Sequence, residues 1–81
     1  MPTLALYHRD TCGFCSKVKN FIKENNIDSI NLKNITDSKE SYQELLKIGG
    51  KIQVPCLFID GKPLYESDDI INWLKNNAVN K

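Results

Sequence analysis

No stretch of this chain is apolar for long enough to cross a bilayer. Its apolar runs are a few residues each, against the ~20 that a spanning helix needs. Like charges do not cluster either. Eleven basic and ten acidic side chains leave a formal charge of +1, which gives no electrostatic reason to expect a nucleic acid or an anionic membrane as partner. The first residues lack the basic-then-apolar order of a signal segment, so a soluble, cytoplasmic chain is expected. Cysteine is sparse and odd in number, at three, which makes a poor disulfide framework. Histidine is limited to His8. A structural zinc site needs four ligands. Beside Cys12 and Cys15 only Cys56 and His8 are left, at unsuitable spacings, so no metal is expected. Repeats, linkers and low-complexity tracts are absent, and residues 1–81 read as one domain.

What the chain does have is a Cys-x-x-Cys pair, Cys12 and Cys15, where a strand hands over to a helix. Upstream, Thr3-Leu4-Ala5-Leu6-Tyr7 alternates like a half-buried strand. Downstream, Phe14, Val18, Phe21 and Ile22 recur at helical spacing. Cys12 is therefore expected at or just before the first helical turn, with Cys15 one turn further in. The first N–H groups of a helix lack intrahelical partners, and the helix dipole adds partial positive charge there. Both favour a thiolate over a thiol. Arg9, Lys17 and Lys19 add positive potential nearby. Cys12 is the candidate nucleophile and Cys15 the candidate resolving thiol.

The rest of the chain supplies a frame for that pair. After a polar loop from His8 to Thr11, with Thr11 or Cys12 as N-cap, the first helix should run to about Glu24 and stop at Asn25-Asn26. Ser29–Leu32 reads as a short strand. Asp37 with Glu40 has the spacing of a helix start, and the helix should end at Gly49-Gly50. Ile52–Ile59 reads as a third strand. Asp60-Gly61 is a two-residue hairpin turn into a fourth strand around Pro63–Tyr65. Ser67 should cap a last helix with Asp68 and Asp69 in its first turn, buried through Ile70, Ile71, Trp73 and Leu74, and fraying from Asn76 to Lys81. The order is β-α-β-α-β-β-α, with a parallel pair from the first β-α-β unit and an antiparallel hairpin edge. Pro55 breaks the local rules, because proline cannot donate to a ladder. The interruption leaves backbone groups on Val54 free to pair with an extended peptide ligand. Cys56 reads as a small core residue, His8 as a loop residue and Trp73 as core.

Thr11-Cys12-Gly13-Phe14-Cys15, then Gln53-Val54-Pro55, then Ser67-Asp68-Asp69 opening the last helix together resemble the glutaredoxins, over nearly the whole chain from Thr3 to Leu74. The resemblance implies the thioredoxin-like α/β fold, a four-stranded mixed sheet flanked by three helices, with a cis Val54–Pro55 bond. It also implies glutathione as reductant. By that resemblance Arg9 falls where a basic residue meets the glycine carboxylate of glutathione. Val54, beside Pro55, pairs through its backbone with the cysteinyl part, and Ser67 and Asp68 hold the γ-glutamyl end. Tyr65-Glu66 replaces the family's Gly-Gly. Glu66-Ser67 is similar to the N-terminal domain of glutathione transferases, which makes Glu66 a second ligand for the γ-glutamyl ammonium. The implied activity is glutathione-dependent reduction of protein disulfides and protein–glutathione mixed disulfides, by a monomer served indirectly by glutathione reductase and needing no metal. Gly13-Phe14 resembles the cluster-binding branch of the family, so the alternative is a [2Fe–2S] carrier held by Cys12 and glutathione in a dimer. A weaker third reading is a thioredoxin-like reductant served by a protein reductase.

Overall fold

A computed structural model describes residues 3–78. Among them the chain forms β1 (Leu4–His8), α1 (Gly13–Glu24), β2 (Ile30–Asn34), α2 (Lys39–Gly49), β3 (Cys56–Ile59), β4 (Lys62–Tyr65) and α3 (Ser67–Asn77). The strands make one sheet in the order β2-β1-β3-β4. β1 and β2 are parallel, and the β1–β3 and β3–β4 pairs are antiparallel. The expected element order and mixed sheet are both found.

Successive strand residues point to opposite faces, and that alternation sorts the core into two layers. Leu4, Leu6 and Leu57 meet Val18 and Ile22 of α1 and Ile70 and Leu74 of α3 on one face. Tyr7, Cys56 and Phe58 meet Ile35 and Leu45 on the other, under α2. Leu6, Val18, Leu57, Ile70 and Leu74 are fully buried, and each such side chain stabilises the fold by about 1.5–3 kcal/mol. The pairs Val18/Ile22 and Ile70/Leu74 are each four residues apart, so each lies on one helical stripe. No helix among the described residues is long and apolar enough to cross a membrane.

Local signals place most of the boundaries. Asp60 and Gly61 both take positive φ, 52° and 84°, as the tight hairpin turn requires. Gly50, at φ 80°, ends α2, and its N–H donates to the Leu46 carbonyl. Asn25 caps α1, and Asn26 follows with φ 53°.

Several boundaries depart from expectation. β1 extends to His8, which is buried at the strand end, not in the loop. β2 runs from Ile30 to Asn34 because it stays paired with β1 through His8↔Asn34. β2 is also a sheet edge, and Leu32 is half exposed there. The cap of α2 is Ser38, whose hydroxyl accepts the Ser41 N–H at 3.2 Å. Asp37 instead accepts from the Asn34 side-chain amide at 3.3 Å. The third strand starts at Cys56, not Ile52, since the ladder cannot form through Pro55. Trp73 and Ile71 are half-buried against the α1/α3 core. α3 runs to Asn77, and the fraying expected over residues 79–81 lies outside the described residues.

Candidate functional site

Cys12 is the N-cap of α1, with extended backbone (φ −117°, ψ 113°). Its sulfur takes the role usually filled by a Ser or Asp oxygen, accepting the N–H of Cys15 at 3.1 Å. An N–H at a helix start aimed at sulfur stabilises negative charge on it. The Cys12 thiol also faces the Val54 carbonyl at 3.9 Å. Cys12 is half-buried, whereas Cys15 is fully enclosed. Burial first, then the hydrogen bond and charge of Cys12, push the Cys15 thiol up to about 12. A backbone hydrogen bond at Arg9 and the charge of Lys19 act the other way. All three cysteines are free thiols. The outer sulfur is partly exposed and accepts a helix-start N–H, while the inner one is enclosed and held as a thiol.

Beside this pair lies a cavity of about 540 Å³ lined by Phe14, Gln53, Val54, Pro55, Glu66, Ser67, Asp68 and Asp69. Three segments build it: the first turn of α1, the chain entering β3, and the start of α3. The Val54–Pro55 bond is cis. Ser67 is not the N-cap of α3. It is the first helical residue and is buried, and the cap position belongs to Glu66 at φ 71°, with no side-chain capping hydrogen bond. The turn out of β4 brings the chain into the helix one residue early, so the Ser67 hydroxyl closes no cap. Asp68 is exposed and receives the Lys17 ammonium at 2.7 Å.

The family model for glutaredoxin matches residues 4–64. The chain belongs to the glutaredoxin family. Glutaredoxin 1 of Rickettsia prowazekii is 32% identical over 84 residues, an alignment covering 100% of this chain and 86% of that one. Among solved structures, the thioredoxin-like protein BC3987 superposes with a TM-score of 0.75 at 23% identity, over 90% of this chain and 96% of its own. A buckwheat glutaredoxin–glutathione complex gives 0.70 at 21%, over 96% and 73%. The family carries a thiol–disulfide oxidoreductase role, and the Cys12–Cys15 geometry is suited to it.

This glutaredoxin gathers Val54, Pro55, Glu66, Ser67 and Asp68 on one cavity. It sets Cys12 against Val54 and buries Cys15 behind it. Arg9 stands apart: it is exposed and is not among the residues lining the cavity. Gln53 and Asp69 line the cavity without having been singled out as site residues. Each is the direct neighbour of one that was, and that adjacency was the available signal. The Lys17–Asp68 pair joins residues 51 positions apart, and no local pattern announces it. Cys56 packs in the α2-side core, as expected of a small buried residue. Burial pushes its thiol up to about 11, against hydrogen bonds from Tyr65 and the Leu64 backbone and the charge of Lys51. Among the described residues no three His, Cys, Asp or Glu side chains gather to hold a metal ion.

Proposed function

We propose that this glutaredoxin is a glutathione-dependent reductant of protein disulfides and protein–glutathione mixed disulfides, working in the cytoplasm as a monomer. One observation carries the reading. The Cys12 sulfur accepts a helix-start N–H and lies 3.9 Å from the carbonyl of Val54, which lines the cavity, and one turn behind it Cys15 is held protonated.

With a mixed disulfide, the Cys12 thiolate attacks the glutathionyl sulfur. The Cys12–glutathione bond forms as the protein–glutathione bond breaks, and the protein leaves as its thiolate. A second glutathione thiolate then attacks the bound glutathionyl sulfur, giving glutathione disulfide and restoring the Cys12 thiolate. With a protein disulfide, the Cys12 thiolate attacks one protein sulfur; the Cys12–protein bond forms as the protein disulfide breaks, and the other protein sulfur leaves as a thiolate that takes up a proton. Cys15 then gives up its proton, attacks Cys12 and releases the protein dithiol. Two glutathiones reduce the resulting Cys12–Cys15 disulfide, and glutathione reductase recycles the product. Glutathione brings two carboxylates and one ammonium. The backbone of Val54 is offered to its cysteinyl part. The start of α3, with Ser67 buried there and Glu66 and Asp68 beside it, is offered to its γ-glutamyl end. Arg9 reaches this ligand, in our reading, from outside the cavity lining, at the glycine carboxylate.

The test is reduction of a small glutathione mixed disulfide and of a protein disulfide, coupled to glutathione reductase. The wild type should turn over both, Cys12→Ser neither, and Cys15→Ser the mixed disulfide alone. A wild type that is inert with glutathione but active with thioredoxin reductase would sink the glutathione reading. A brown dimer after anaerobic purification, inert in both assays, would favour the cluster carrier.

A further inference from the structure

Among the described residues, those that line the cavity include three carboxylates, Glu66, Asp68 and Asp69, and no basic side chain. A ligand ending in an α-amino acid brings both an ammonium and a carboxylate. Its carboxylate meets the partial positive charge at the start of α3, and against three carboxylates a full positive charge beside it strengthens that hold. Lys17 supplies that charge. Lys17 follows Phe14 by three residues, so the two share one flank of α1, and Phe14 lines the cavity. The Lys17 ammonium bonds Asp68 Oδ1 at 2.7 Å while both side chains stay more than half exposed, at 53% and 79%. An ammonium has three donors and a carboxylate two acceptor oxygens. Among the described residues the pair therefore has unused donors on Lys17 and an unused oxygen on Asp68, side by side.

We infer that Lys17 is a specificity-determining residue that, paired with Asp68, reads the α-amino-acid end of the substrate: Asp68 takes the ammonium and Lys17 the carboxylate. This rests on the glutathione reading above and adds to it a residue outside the cavity lining. The pair is complementary to a zwitterion as a unit. It favours a γ-glutamyl thiol over a thiol that lacks the amino-acid end.

The experiment compares two chromogenic probes, the 2-thiopyridyl disulfides of glutathione and of cysteinylglycine, which lacks the γ-glutamyl group. Pre-steady-state release of 2-thiopyridone gives a half-saturating concentration and a limiting rate for each. For Lys17→Gln the half-saturating concentration of the glutathionyl probe should rise about five-fold, the size of one exposed charge contact, with the limiting rate unchanged. Lys17→Glu should raise it further and Lys17→Arg should restore it. None of the three should alter the cysteinylglycyl probe. Lys23→Gln, on the last turn of α1, should change neither probe. No shift in Lys17→Gln, a tighter half-saturation, an equal shift with both probes, or the same shift in Lys23→Gln would overturn the inference and leave the glutathione reading standing. A wild type that does not distinguish the two probes would remove the glutathione reading itself.

Discussion

The environments of the three thiols predict a steep order of chemical modification. A thiolate, not a thiol, reacts with iodoacetamide. With its pKa near 12, Cys15 is ionised in only about one molecule in 10⁵ at pH 7, and Cys56, near 11, in about one in 10⁴. An unperturbed free cysteine would be ionised to about 3% under the same conditions. Ionisation alone therefore slows Cys15 by about 10³ relative to an ordinary thiol. Full burial of both Cys15 and Cys56 slows them further. The reduced protein, treated at pH 7 and followed by intact mass, should take up one adduct and stop. Peptide mapping should place it on Cys12. In urea all three cysteines should react at similar rates. Native Cys15 or Cys56 alkylated within ten-fold of the Cys12 rate would refute the reasoning, because neither the raised pKa values nor the burial would then describe the molecule in solution.

Gly49→Ala tests a close contact at the end of α2. A Cβ there would collide with the Tyr65 hydroxyl, which donates to the Gly49 carbonyl at 3.0 Å. The gain from alanine in a helix is about 0.5–1 kcal/mol, while overpacking costs about 1–3 kcal/mol. Urea melts should show a net loss of about 1–2 kcal/mol, and in a Tyr65→Phe background the same change should be neutral or stabilising. His8 is buried, and its Nδ1 lacks a hydrogen-bond partner among the described residues. Burial first, and then the charge of Lys19, lower its pKa below the usual 6.5, against opposing pulls from Asp10 and Asp37. The unfolded chain thus binds a proton more readily than the fold does. The His8 contribution is complete above pH ~6.5 and is lost as pH falls through the lowered folded value. Thermal melts at pH 7.5, 6.5 and 5.5 should fall toward acid, and His8→Leu should flatten the slope. An unchanged slope in that variant would count against the burial of His8.

Much of the frame was legible because it depends on neighbours in sequence. The start of α1 at Cys12, the Asp60-Gly61 turn and the stop at Gly50 each follow from backbone preferences acting within a few residues. The stripe Val18/Ile22 marked the buried face of α1, but β1, whose alternation reads as half-buried, is covered on both faces, with Leu4 and Leu6 under α1 and α3 and Tyr7 under α2. Elements whose limits depend on a partner were less legible. The extent of β2 follows the length of β1, and the burial of His8 depends on what packs over the end of that strand. In α2 the periodic apolar residues exceed what the sheet covers: Leu45 is buried, yet Tyr42, Leu46 and Ile48 are exposed.

The candidate site divides in the same way. From sequence alone come the two thiols at one-turn spacing, the proline that breaks the ladder and the acidic opening of α3. Only the tertiary structure decided that Glu66 and not Ser67 occupies the cap, that Arg9 is not among the residues lining the cavity, and that Lys17 pairs with Asp68. The cap of α1, the stop of α2 at Gly50 and the Asp60-Gly61 turn are settled within four residues of chain. The meeting of α1 with α3, 51 residues apart at the Lys17–Asp68 contact, is settled by burial of Val18, Ile70 and Leu74 against the same sheet face, and charged side chains at the rim go where that packing takes them.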